Sequence, residues 1–343
     1  MDDLEVLKAN IEQVLAQQCD ARTVHDFVNG RGSDLAASLR AQAGELGWLG
    51  IGMSEEAGGL GMGLAGAARL ARELGRRLAP GPFVPILACL QVLDRFAPDA
   101  ISAQVMPSLV SGERAAAIPA TFDEDDSDDW LLGEIDGAIL LMRDEAGLVL
   151  ASSRAGGEPV HARGAWDRTR ALWQLPADCE VLCILPAEAA RHLETCANLL
   201  VAADTLGAME ALFAQTVDFL KQREQFGVPI GSFQALKHRM ADMAGQIELG
   251  DCLLEQALEA ADSAFWSGLC KAEVTQAAAF LAEECLQLHG AIGYTWEHDC
   301  HLFLKRMRLN QALVRSNHGL RQSSFDALEA ASASDLSLME IGQ

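Results

Sequence analysis

Residues 223–243 read REQFGVPIGSFQALKHRMADM. A polar, turn-prone piece, 223–232, separates two strongly helical patterns. Upstream, Leu206, Met209, Leu212, Phe213, Val217 and Leu220 recur at three- and four-residue steps. Downstream, Phe233, Leu236, Met240, Met243, Ile247 and Leu254 do the same. Both patterns have the helical period. Pro229 and Gly231 break helix between them, and Ser232 is placed to N-cap the second one.

Working outward, helix dominates both ends of the chain. Residues 1–115 carry apolar stripes at Leu4, Leu7, Ile11, Val14 and Leu15, and at Leu35, Leu39, Ala43, Leu46 and Leu49. Further helices are expected over 64–78, 86–96 and 100–110. Residues 116–185 change texture: short apolar runs at 130–132, 138–142, 148–152, 171–173 and 181–184 lie between Gly, Asp and Pro, which predicts strands of a small sheet domain. The acidic run DEDDSDDW, 123–130, reads as a solvated loop. From 186 helix returns, over 188–222, 233–262, 264–289 and 297–327. Four long segments with short links predict an antiparallel four-helix bundle over 186–330. The residues 331–343 read as a loose tail.

Composition narrows the function. The chain has 343 residues, 50% of them hydrophobic, with a formal net charge of -23. That charge argues against nucleic acid and anionic membrane as partners. Nine cysteines stand singly with no C-x-x-C pair, and the histidine spacing matches no zinc motif, so no metal is expected. Cysteines in such apolar surroundings read as buried thiols in a reducing compartment. The N-terminus lacks an apolar signal region, and no run reaches the length of a membrane helix, so a cytoplasmic location is expected.

Three blocks, in order along nearly the whole chain, resemble the acyl-CoA dehydrogenase family: SEEAGGLGMG at 54–63, R-x-Q-F-G-x-P-I-x-x-F-Q from Arg223, and QLHGAIGYTWE at 287–297. The resemblance implies an α+β fold with an N-terminal helical domain, a small middle β domain and a C-terminal four-helix bundle. It implies FAD, an acyl-CoA substrate, and electron-transfer flavoprotein or a similar acceptor. Arg223, Gln225, Phe226 and Gln234 match positions that hold the flavin's nucleotide tail. A guanidinium forks two donors onto pyrophosphate oxygens. Gln287, His289, Gly290 and Gly293 match a segment that meets the flavin of a neighbouring subunit, with Ala291 in place of a second glycine. Each also has a plainer reading: Arg223 as a helix-end charge, Gly290 as an ordinary helix cap, His289 as a core histidine.

The reaction of this family needs a carboxylate base whose pKa is raised by a dry site, and donors for the thioester oxygen. When Arg306 is aligned with the family's Arg, the usual Glu position holds Arg315, which cannot abstract a proton. The alternative position on an earlier helix falls on Ala197, with Glu194 one turn before it. No catalytic residue is therefore assigned, and Glu194 is the weak candidate. The middle-domain motif T-E-P-x-A-G-S-D is replaced by AIPATFDEDDSDDW. WDRTR, 166–170, resembles a segment that ends that domain and reads as structural. These features together imply the base-lacking partner in a heterotetramer of two acyl-CoA dehydrogenase subunits (α2β2), of the kind that acts on bulky or steroid-derived acyl-CoAs. A self-sufficient enzyme with the base at Glu194, Glu248 or Glu255, and a flavin-free helical scaffold, are the alternatives.

Overall fold

The computed structural model describes residues 3–32, 34–123, 130–144, 147–154, 166–260 and 263–340, with backbone alone for 3–6 and 330–340. Most of the acidic run therefore lies outside the described residues. Six helices come first: α1 (Asp3–Gln18), α2 (Ala21–Val28), α3 (Leu35–Glu45), α4 (Gly63–Arg76), α5 (Phe83–Phe96) and α6 (Asp99–Val110). The sequence reading omits α2, although its start signal was present: Asp20 caps it, accepting the Thr23 amide at 2.7 Å. The expected stripes bury Ile11, Leu15, Leu39, Ala43 and Leu49, whereas Leu46 stays 42% exposed because it is the C-cap of α3 rather than part of it.

A six-stranded sheet follows. Its strands are β1 (Ala116–Pro119), β2 (Trp130–Gly133), β3 (Ile139–Asp144), β4 (Gly147–Ser153), β5 (Leu172–Gln174) and β6 (Cys179–Leu185), in spatial order β5-β2-β1-β3-β4-β6. Only β1 and β3 run parallel. β1 is buried along its whole length, since α5 covers it and β2.

The chain then builds its bundle from α7 (Ala187–Gln222), α8 (Gln234–Glu259), α9 (Ala264–His289), α10 (Cys300–Ala312) and α11 (Asn317–Glu340). A fourth continuous helix over 297–327 does not form. It breaks into α10 and α11 at a buried turn where Val314 takes φ +69°. The expected loose tail is helical to Glu340; a spacing rich in Ala, Ser and Leu is compatible with helix despite its polarity.

α7 is the central post. It contains a window apolar enough, by length and composition, to cross a membrane, which the sequence reading did not recognise; 83% of that window is buried inside the fold. Helix α4 lies against it at two glycines. A Cβ on Gly207 would sit 1.8 Å from the Arg72 carbonyl oxygen, and one on Gly75 would sit 2.0 Å from that of Asp204. The backbones touch there, and only glycine permits it. All nine cysteines are free thiols; six are buried, and Cys252 is exposed.

Candidate functional site

The two glycine-containing blocks emerge from one end of the bundle. α7 and α9 both end there, and the Phe219 ring stacks on the His289 ring with centroids 4.5 Å apart. From α7 the chain enters a two-stranded hairpin, β7 (Glu224–Gln225) against β8 (Val228–Pro229). Its tip is Phe226 and Gly227, at φ +54° and +79°. Two positive φ values make this the turn that follows strand twist, and Asn-Gly is its easiest sequence. A phenylalanine there is strained, and its side chain is 92% exposed. Arg223 and Gln234 are also exposed, and among the described residues the Arg223 guanidinium has no hydrogen bond or ion pair. Gln225 Nε2 donates to the Glu224 carbonyl at 2.7 Å. Ser232 does not N-cap α8: its hydroxyl donates back to the Pro229 carbonyl at 2.7 Å, and Phe233 occupies the cap position. A short 3-10 turn, Ile230–Ser232, moves the helix start by one residue.

At the end of α9, Gln287 is exposed and Gly290 takes φ +62° with nothing within 4 Å of its missing Cβ. Gly293 is buried, and a Cβ there would meet the Leu286 carbonyl oxygen at 3.0 Å. His289 differs from its neighbours. It is only 5% exposed, its Nδ1 lies 2.8 Å from the Cys285 carbonyl oxygen, and burial lowers its pKa. Its side chain therefore points into the protein rather than to the surface. The exposed Arg223, Gln225, Phe226, Gln234 and Gln287, with the half-buried Gly290, fit an anionic dinucleotide: a free guanidinium, amide donors, open backbone and an aromatic face on one end of the molecule.

The other half of the expected site lies around the turn between α10 and α11, which carries Arg315. The buried turn after α10 is stitched to the segment after β1. Val314 N–H donates to the Ala120 carbonyl at 2.8 Å, and Phe122 N–H donates to the Val314 carbonyl. The next residue, Arg315, lies with Nε 3.1 Å from Glu194 Oε1 and 3.8 Å from Asp123 Oδ1. Asp123 also accepts the Ser316 amide at 2.9 Å. Burial raises the Glu194 pKa, and Arg315 and then Arg143 oppose that. Ala197 is fully buried, while Glu248 and Glu255 face solvent from the outer side of α8.

Beneath that turn lies a lysine that sequence reasoning missed. Lys271, fully buried in α9, donates to the carbonyls of Gln311 (2.8 Å) and Arg315 (2.7 Å) and to Asn317 Oδ1 (3.2 Å). Desolvation lowers its pKa to about 7. Thr275 and Asn317 complete the clamp, with Thr275 Oγ1 3.1 Å from Asn317 Oδ1 and Asn317 Nδ2 donating to the Ala272 carbonyl. Nothing in the local sequence around an internal helix lysine signals this role.

The D-x-T-R segment is a hub between layers. Arg306, 1% exposed, reaches Asp167 Oδ2 at 3.0 Å, Asp204 Oδ1 at 2.9 Å and the Ala79 carbonyl at 3.1 Å. Arg170 pairs with the same Asp204 at 2.7 Å and hydrogen-bonds Asn310. Two cations and two carboxylates are thus buried together, each with partners. The group joins the N-terminal helices, the end of the sheet domain, α7 and α10.

Residues 1–113 match the model for the acyl-CoA dehydrogenase N-terminal domain, and residues 196–314 match that for the C-terminal domain. The chain is 33% identical to the acyl-CoA dehydrogenase IpdE2 of Mycobacterium tuberculosis over 318 residues, which cover 92% of this chain and 94% of that one. It belongs to the acyl-CoA dehydrogenase family. Among solved structures, a variant of the Tcur3481-Tcur3483 steroid ACAD superposes with a TM-score of 0.84 at 24% identity, covering 97% of this chain and 99% of that one. The ChsE4-ChsE5 complex from Mycobacterium tuberculosis gives 0.79 at 18% identity, covering 96% and 98%.

These likenesses bear out the family fold: helical N-terminal part, small sheet, helical C-terminal part. As an acyl-CoA dehydrogenase homologue the chain is an oxidoreductase of the class acting on CH-CH bonds. The two domain matches leave 114–195 between them. That interval holds the sheet and Glu194.

Proposed function

We propose that this chain is the base-lacking subunit of a hetero-oligomeric, FAD-dependent acyl-CoA dehydrogenase that desaturates the α,β bond of a bulky, steroid-derived acyl-CoA. The observation that carries the proposal is the Arg315–Glu194 pair at the place where a proton-abstracting Glu is expected. Arg315 stands 3.1 Å from a Glu194 oxygen, so the pair must open before that carboxylate could take a substrate proton, although burial raises its pKa. The partner subunit then supplies the base. Arg223, Gln225, Phe226 and Gln234 hold the flavin's nucleotide tail at the interface, and Gln287, Gly290 and Gly293 complete its surroundings through backbone and amide contacts. When bound, the flavin accepts the hydride that leaves the β carbon. This chain's contribution is binding and orientation. An electron-transfer flavoprotein or similar carrier reoxidises the flavin.

The exposed strained Phe226 supports an interface at this end, since a large apolar side chain at a strained tip is costly unless something covers it. The names of the structural neighbours support the substrate class and the two-subunit arrangement: one is a steroid ACAD with two chain designations, another a complex of two different chains. The self-sufficient reading rests on Glu194 and requires the Arg315 pair to break. The scaffold reading requires Arg223 to have no ligand. Expression of the chain alone and with a candidate acyl-CoA dehydrogenase partner that carries the Glu separates all three. The proposal expects flavin and turnover only from the pair. Full flavin content and turnover from the lone chain would overturn it, and a colourless complex would favour the scaffold.

A further inference from the structure

The sequence around 289–300, H-G-A-I-G-Y-T-W-E-H-D-C, matches no zinc spacing, yet the fold closes it into a compact ligand set. One ring nitrogen of His289, one of His298 and the Cys300 sulfur lie within 4.8 Å of one another. We infer that His289, His298 and Cys300 form a binding site for a single zinc ion at the junction of α9 and α10.

The geometry supports a tetrahedral ion. Zinc–sulfur and zinc–imidazole bonds of about 2.3 and 2.05 Å put adjacent ligand atoms about 3.5 Å apart. The Cys300 sulfur and His289 Nδ1 stand 3.4 Å apart. The widest ligand separation is longer than that by roughly one ångström, a gap that a small rotation of the half-buried His298 ring closes. Cys300 is the first residue of α10, and burial pushes its thiol up to about 12, so the ion must displace a firmly held proton.

The surroundings select a borderline or soft metal. Phe219 covers one face of His289, and the Cys285 sulfur lies 3.9 Å from the Met243 sulfur close by. The neighbouring carboxylate, Asp299, is engaged by His25 Nε2 at 2.8 Å. Imidazole and thiolate without hard oxygen donors suit zinc and exclude magnesium or calcium as the preferred ion. Ligation through His289 Nδ1 gives up its 2.8 Å hydrogen bond to the Cys285 carbonyl, and the ring proton then resides on Nε2.

Binding is balanced without any redox partner. The Cys300 S–H bond breaks and its proton passes to solvent. The sulfur lone pair and one from each neutral imidazole form the three bonds, and water takes the fourth position. The Cys300 amide, now 3.2 Å from His298 Nδ1, gives up that long bond if Nδ1 is the ligating atom. The ion would cross-link the two ends of the segment that carries Gly290 and Gly293. This inference does not depend on the assignment of the missing base.

The test uses the full chain, stripped with a chelator and titrated with cobalt(II) and zinc(II). One equivalent of cobalt should give a sulfur-to-metal charge-transfer band and the intense visible bands of a tetrahedral site. Zinc should displace it and raise the melting temperature. Cys300→Ser should abolish the charge-transfer band, and His298→Gln should weaken zinc binding at least tenfold. His298 is the safer variant because it is half-buried, and circular dichroism confirms that each variant folds. Cys252→Ser, which removes the exposed thiol, should change nothing. No tetrahedral spectrum from the folded wild-type chain, or a spectrum that survives Cys300→Ser or vanishes with Cys252→Ser, would overturn the inference.

Discussion

Arg315 Nε lies 3.1 Å from Glu194 Oε1, tying the turn between α10 and α11 to the first part of α7. Both side chains are less than a third exposed, at 26% and 22%. Arg315→Ala should leave Glu194 partly buried without its main cation and cost about 1–3 kcal/mol of stability. A cycle with Glu194→Gln should return a coupling of about 0.5–3 kcal/mol by chemical denaturation. Additivity of the two substitutions would show that the pair is only a surface contact. If instead Glu194 is a base, Glu194→Gln would abolish turnover of the assembled enzyme.

The hub around Arg306 makes a larger demand. Arg306→Met strands Asp167 and Asp204 in the interior, and the expected loss is about 3–5 kcal/mol. Arg306→Lys should rescue little of it, because an ammonium cannot reach Asp167, Asp204 and the Ala79 carbonyl as a planar fork does. Thermal melts of the two variants measure this directly.

Backbone contact between α4 and α7 leads to a paired prediction. Gly207→Ala places a methyl group inside van der Waals distance of the Arg72 carbonyl, so the helices must separate and the chain should lose several kcal/mol, at or beyond the ~1–3 kcal/mol usual for overpacking. Gly245, within α8, has nothing within 4 Å of its missing Cβ. Gly245→Ala should instead stabilise by up to about 1 kcal/mol. Equal effects at the two positions would contradict the close crossing.

Lys271 predicts a pH dependence with a definite sign. Its folded pKa is lowered to about 7, from an ordinary value of 10.5. Between those values the unfolded chain holds the proton that the folded chain releases. The unfolded state therefore binds more protons, and stability contributed at this site rises as pH goes from about 7 to about 10. Below pH 7 the penalty for the buried charge is fully present. Denaturation of wild type and Lys271→Met across this window should show a positive slope in the first that is reduced in the second.

Phe226 should trade stability against binding. Phe226→Asn makes the hairpin tip Asn-Gly, relieves a strain of about 1 kcal/mol or more, and should raise the melting temperature of the isolated chain. The same change removes the exposed ring, so flavin retention by the assembled complex should fall. A variant that leaves retained flavin unchanged would remove Phe226 from the interface.

Much of this acyl-CoA dehydrogenase's fold was determined by sequence alone. Apolar residues at helical spacing, the Pro229 and Gly231 break and the short apolar runs after 116 are local signals, and they predict local structure because helix and strand periods are properties of a few adjacent residues. The exposed blocks at Arg223 and Gly290 were legible for the same reason. The tertiary structure alone decided what their neighbours do. Arg315 and Glu194 are 121 positions apart, Arg306 and Asp167 139, and no local pattern pairs them. Lys271 is an ordinary helical residue until the α10–α11 turn settles on it, and the break at Val314 exists because β1's extension captures that backbone. His298 and Cys300 become neighbours of His289 only once the glycine turn reverses the chain. Partners distant in sequence meet through packing, which depends on every element at once.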